Sequence, residues 1–184
     1  FLYPANELIA AEISISSPEL RAQRIDGLNH WSNHNIGIVI VPMGGCRKLL
    51  PPKEMWQKYQ LSFSVGSELD LEKITHQLVI MGYSRADMVS SPGEFSLRGG
   101  ILDIYPLTES NPIRIELFDT EIDSIRTFSI ENQKSMEKVL TVHIGPATEL
   151  ILEPANVNRM ADLLEEGLRN SLKKKKNEKS KNLL

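Results

Sequence analysis

Five carboxylates crowd the middle of the chain: Asp103, Glu116, Asp119, Glu121 and Asp123. Two carboxylates converging from neighbouring strands can hold Mg²⁺ for phosphodiester hydrolysis, and Asp103 and Glu116 fall on adjacent expected strands. A nuclease of that kind usually carries a lysine two residues after the second acid, and Phe118 stands there instead. Asp119–Asp123 reads as a hairpin turn with solvated acids. The other reactive side chains are scattered. His30 and His34 could share a helix face at i, i+4, but no acid or thiol ligand lies near them in sequence, and His76 and His143 stand alone. Cys46 has no histidine base nearby and reads as a structural thiol. Ser90-Ser91 lacks the G-x-S-x-G setting of a nucleophile. Nothing matches G-x-x-x-x-G-K-[ST]; Gly44-Gly45-Cys46-Arg47-Lys48 lacks both the spacing and the final hydroxyl, so a nucleotide has no anchor. These residues predict no catalysis, no cofactor and no metal.

Arg85, Arg98 and Arg114 point to a different chemistry. Each sits in or beside an expected strand. Glu116 shares the outer face with Arg114, two residues on. Tyr105 lies on the Asp103 face near a strand end, where a ring would be half exposed. Arginine and tyrosine often carry the binding energy of protein interfaces. The plainer alternative is that these arginines make ordinary surface pairs with nearby acids, each worth little.

The elements that must position these residues can be read from patterning. Ser16-Ser17-Pro18-Glu19 opens a helix with a serine cap and a first-turn proline, and Ala22, Ile25 and Leu28 carry it to about Asn29. Gly37–Pro42 is a short apolar run, read as a buried, parallel strand, so residues 1–51 form an α/β remnant. Leu61–Val65 alternates like a strand. Asp70 caps a helix bearing Leu71, Ile74, Leu78 and Met81, and Gly82 stops it. Strands are expected at Ala86–Val89, Glu94–Arg98, Ile101–Tyr105, Pro112–Phe118 and Glu121–Ile130. In 112–118, Ile113, Ile115 and Leu117 face one side while Arg114, Glu116 and Phe118 face the other. This describes a one-sided antiparallel sheet on the 70–81 helix, with a solvated outer face. After Gly145-Pro146, Val157, Met160, Leu163, Leu164 and Leu168 stripe a helix to about Leu172, followed by lysines at 173–176, 179 and 181. That run reads as a solvated tail, a nucleic-acid contact, or cations matching the helix dipole.

Of the 184 residues 41% are hydrophobic, ample for a core, and no run reaches the ~18 residues needed to span a bilayer. A single cysteine excludes an internal disulfide and fits an intracellular, cytoplasmic setting. The amino end has no signal-peptide pattern and no starting methionine, which suggests a piece of something longer. Net charge is −3, unevenly spread. Residues 52–145 hold nine basic and fourteen acidic groups, a net of −5. Such a module is poorly suited to a polyanion and favours a protein partner.

The stretch Gly93-Glu94-Phe95-Ser96-Leu97-Arg98-Gly99-Gly100-Ile101-Leu102-Asp103-Ile104-Tyr105-Pro106, with Arg114–Asp119 and Glu121–Arg126, closely resembles the bacterial transcription-repair coupling factors. Tyr3–Leu8, Ser17–Arg21 and Leu50–Glu54 with Trp56 resemble them too, so the likeness spans about residues 1 to 170 and leaves the lysine tail outside. The same region is similar to the damage-verifying helicase UvrB. The resemblance implies α/β plus α+β architecture: a partial helicase-like domain, with 1a at 1–51 and the start of 1b at 146–184, interrupted by domain 2 at 52–145. It implies that domain 2 docks UvrA, the damage-recognition ATPase of nucleotide excision repair. By motif, the contacts would be Arg85, Arg98, Tyr105, Arg114 and Glu116. Ser96 stands where UvrB usually has an arginine, and Val41–Trp56 leaves no room for UvrB's DNA-clamping hairpin; both favour the coupling factor. In the longer protein the resemblance implies RNA polymerase and double-stranded DNA as further partners, an ATP-driven translocase in later domains, and masking of domain 2 by the carboxy-terminal domain. The alternatives are a nucleic-acid module using the lysines, and a UvrB-type fragment.

Overall fold

The computed structural model describes residues 1–5, 17–34, 36–47, 50–151 and 153–181. They form two units, Phe1–Ile151 and Leu152–Leu184.

In the first unit, helix α1 (Pro18–Asn33) starts where the Ser17 hydroxyl accepts from Leu20 N at 3.1 Å and Pro18 occupies the first turn. The cap is therefore Ser17, one residue beyond Ser16, and the helix runs four residues past Asn29. The apolar run 37–42 departs from expectation. It makes one parallel bridge, Leu2 with Ile40, and Ile36, Ile38 and Ile40 remain largely exposed. A parallel strand is buried by neighbours on its edges and layers on its faces. Among the described residues only Phe1–Tyr3 pairs with this one, so Ile38, Val39 and Ile40 stay exposed while Val41 packs against the core.

A single 3₁₀ turn (Met43–Arg47) and helix α2 (Lys53–Lys58) lead to strand β1 (Leu61–Ser64). Helix α3 (Leu71–Ile80) is capped by Asp70, whose carboxylate accepts from Lys73 N at 3.0 Å. Then come β2 (Ser84–Arg85), β3 (Glu94–Arg98), β4 (Ile101–Ile104), β5 (Ile113–Phe118), β6 (Glu121–Phe128), β7 (Ser135–Val139) and β8 (Thr141–Ile144). β1 and β8 make a two-stranded antiparallel pair. β2 to β7 form one sheet in sequence order, antiparallel throughout except for the parallel β2–β3 pair. The expected strand at 86–89 is a loop. The ladder ends there with Ala86 N donating to Phe95 O at 2.9 Å, and side chains take over: Ser96 Oγ donates to Asp87 O at 2.8 Å, and the Glu94 carboxylate accepts from Ser90 N and Ser91 N.

Register sets the faces. Leu97, Leu102, Ile115, Ile125 and Val139 form one row across β3–β7, with Phe95, Ile104 and Ile113 beside it. These rows join Leu78 and Met81 of the α3 segment in one core, which also includes Tyr3, Ile25, Leu28 and Trp56. Burying each large apolar side chain in it is worth about 1.5–3 kcal/mol.

In the second unit, helix α4 (Pro154–Lys181) is longer than expected and its backbone continues through the lysines. Val157, Met160, Leu163, Leu164 and Leu168 are exposed. The side chains of Lys173–Lys176, Lys179 and Lys181 lie outside the described residues, and so does the choice among the readings of that run. Among the described residues no helix is long and apolar enough to cross a membrane.

Candidate partner-binding face

The opposite face of the sheet carries the polar parity of the same strands. Ser96, Asp103, Arg114, Arg126 and Lys138 line up across β3–β7, and Arg98, Ile101, Glu116 and Ser124 form the next row. Two glycines let Arg98 and Ile101 pair directly. Gly99, the first loop residue, has φ +59°, which a two-residue hairpin demands at that position. This fixes the parity across the turn, so Arg98 and Asp103 share a face.

Asp103 is the hub. Its side chain is 1% exposed, and it accepts from Arg114 Nε at 2.8 Å, Arg114 Nη2 at 2.9 Å and Arg98 Nη2 at 3.0 Å. A lone carboxylate this deep would be costly, and two guanidinium groups offset that cost. Arg114 is committed inward. Its guanidinium carbon lies 4.4 Å from the Phe128 ring centroid, and Nη1 donates to Gln133 O at 3.4 Å. Its hydrogen bonds to Asp103 raise its already high pKa against the opposing effect of burial. Glu116 accepts from Ser124 Oγ at 2.7 Å and pairs with Arg126 Nη2 at 3.1 Å. Arg126 Nε is buried with no hydrogen-bond partner among the described residues.

One end of this face is not solvated. Val89, Tyr105 and Phe128 form a small apolar cluster of their own, flanked by Ile130. The Tyr105 ring, expected half exposed, is 8% exposed, and its hydroxyl donates to Ser110 O at 3.1 Å. The loop residue Val89 packs on it. By contrast Arg98 is 48% exposed and spends one nitrogen on Asp103. Arg85 is exposed at the sheet edge, where register pairs it with Phe95, so its parity is opposite to that of Arg98. The metal reading of Asp103 and Glu116 meets arginine donors on both carboxylates, and among the described residues no three His, Cys, Asp or Glu side chains converge.

A family model described as the UvrB interaction domain matches residues 61–150, which include the whole six-stranded sheet. A transcription-repair-coupling factor of Bacillus subtilis (strain 168) is 51% identical over 183 residues, covering 100% of this chain and 16% of that protein. Its counterpart from Staphylococcus aureus (strain USA300) is 43% identical over 171 residues, covering 93% of the chain and 15% of the relative. The chain belongs to the transcription-repair-coupling factor family. It spans about one sixth of the length of these coupling factors.

Within this coupling-factor segment, Arg98, Arg114 and Glu116 come together on one face, Tyr105 packs beneath its loops, and Arg85 stands at the rim. Sequence reasoning missed the organising role of Asp103 and passed over Arg126 and Phe128. The signal was available: Ser124, Arg126 and Phe128 share a parity, as do Arg114 and Glu116, and pairing β5 with β6 superimposes the two patterns.

Proposed function

We propose that this chain is a non-catalytic docking segment of a transcription-repair-coupling factor, and that the outer face of its sheet binds UvrA to bring excision repair to stalled RNA polymerase. The observation that carries it is Arg98: half exposed, braced from below by a buried acid, and set beside the row of Arg114, Arg126 and Lys138 within an acidic module. Arg98, Arg114, Arg126 and Lys138 outnumber Glu94, Asp103 and Glu116 on this face, which suits an acidic protein surface. The matched UvrB interaction domain supports the same reading. On this reading Arg98 contacts the partner directly, Arg85 contacts it from the rim, and Arg114, Glu116 and Tyr105 shape the face from within. The arrangement as end of domain 1a, domain 2 and start of domain 1b, and the RNA polymerase and duplex-DNA partners of the longer protein, belong to the same proposal.

Titration against purified UvrA tests it. Wild type binds, and Arg98→Ala weakens binding about tenfold or more, roughly 1.4 kcal/mol, with Arg85→Ala weakening it less. Folded wild type that ignores UvrA, but binds duplex DNA with affinity falling steeply in salt, would move the function to the lysines.

A further inference from the structure

Asp103 faces two arginines with one buried carboxylate. Arg114 takes both oxygens and is itself held by the Phe128 ring and Gln133, so the carboxylate has a fixed orientation. Arg98 reaches the same carboxylate diagonally across the β3–β4 hairpin through Nη2 alone. Among the described residues its Nε, its Nη1 and the second Nη2 hydrogen make no hydrogen bond, so one edge that pairs Nη2 with Nε or Nη1 stays open, on a side chain nearly half exposed. A free arginine must give up many rotamers to meet a partner; one already braced gives up fewer.

We propose that Asp103 is the positioning residue of the docking face: its carboxylate holds the Arg98 guanidinium as a preformed fork for a carboxylate on the partner. This rests on the docking reading above. The fork matters because a planar guanidinium can grip a carboxylate through two parallel N–H donors, which an ammonium cannot match. The group has one negative and two positive charges, so it keeps a net positive charge for an acidic partner while its geometry is fixed.

The substitution Asp103→Asn separates positioning from bulk charge, because the two predict opposite signs. Removing an acid makes the face more basic, and simple attraction to an acidic surface would tighten binding. Positioning predicts that Asp103→Asn weakens UvrA binding about tenfold in titrations of the full chain. It also predicts that adding Asp103→Asn to Arg98→Ala costs less than about twofold more. Unchanged or tighter binding by folded Asp103→Asn, or a full additional loss in the Arg98→Ala background, overturns it. If Asp103→Asn does not fold, Arg98→Lys decides: this exposed substitution keeps the charge but loses the fork. It should bind about as weakly as Arg98→Ala, and wild-type affinity would overturn the proposal. If wild type does not bind UvrA, the docking reading fails by itself. Side-chain NMR then reads the brace alone, with hindered guanidinium rotation at Arg98 in wild type and free rotation in Asp103→Asn. Free rotation in wild type refutes the brace.

Discussion

Arg98 and Arg114 share one carboxylate and have opposite consequences. Arg114 has 14% of its side chain exposed and supplies two of the three hydrogen bonds that compensate the buried Asp103. Removing it strands an acid in the sheet, so Arg114→Ala should lower unfolding free energy by about 3 kcal/mol, read from the urea midpoint. Arg98 is half exposed, and its loss should cost under about 1 kcal/mol of stability while it costs binding. A chain in which Arg98→Ala destabilised as much as Arg114→Ala would contradict this division. The sequence alone offered both as partner contacts but could not separate them. Exposure depends on Phe128 and the loop at Gln133, which lie 14 and 19 residues from Arg114. Glu94 is a second residue with a defined task. Burial opposes its ionisation, but hydrogen bonds from Ser90 N, Ser91 N and Ser90 Oγ outweigh this and hold its pKa below the usual range. A carboxyl depressed in the folded state stabilises above its unfolded pKa, and that stabilisation is lost as pH falls through the folded value. Glu94→Gln should therefore narrow the gap in urea midpoint between neutral and acidic solution. An unchanged gap would show that the turn at Ser90 does not depend on the charge.

At the scale of elements, β3 to β6 and α3 were legible because each announces itself locally: period-two alternation for the strands, an Asp cap and apolar stripe for the helix. β7 was not. Ser-Met-Glu-Lys-Val is mostly exposed on an edge, and its pairing with β6 comes from the ladder rather than from a buried face. The run 37–42 failed the other way, since its apolar composition suits a buried strand whose neighbours the described residues do not supply. Gly82 was read correctly as a helix stop, and the structure adds why no other residue serves. Its φ is +87°, and a Cβ there would lie 2.5 Å from Thr148 Cγ2. Gly82→Ala should therefore cost about 1–3 kcal/mol in urea unfolding. A neutral result would mean that α3 can end by another path.

Over the whole molecule, the ends of the first unit are tied together by charge as well as by apolar packing. Arg24 is fully buried and pairs with Glu149, 125 residues away, while also donating to Pro4 O and stacking on Tyr3. Burial, with Glu149 nearby, pushes the Tyr3 hydroxyl up to about 12. This cluster joins the start of the chain, α1 and the segment after β8, and it lies outside the sheet that presents Arg98. Residues 52–145 are acidic in sum, yet the polar rows of their sheet place Arg98, Arg114, Arg126 and Lys138 together on one surface, which composition alone conceals. The claim that this surface receives UvrA is tested most directly by amide hydrogen exchange of the chain with and without saturating UvrA. Exchange should slow at β2 and at the 98–101 hairpin, and stay unchanged along 36–41 and α4. Protection confined to 36–41 or α4, with the hairpin exchanging as in the free chain, would contradict it.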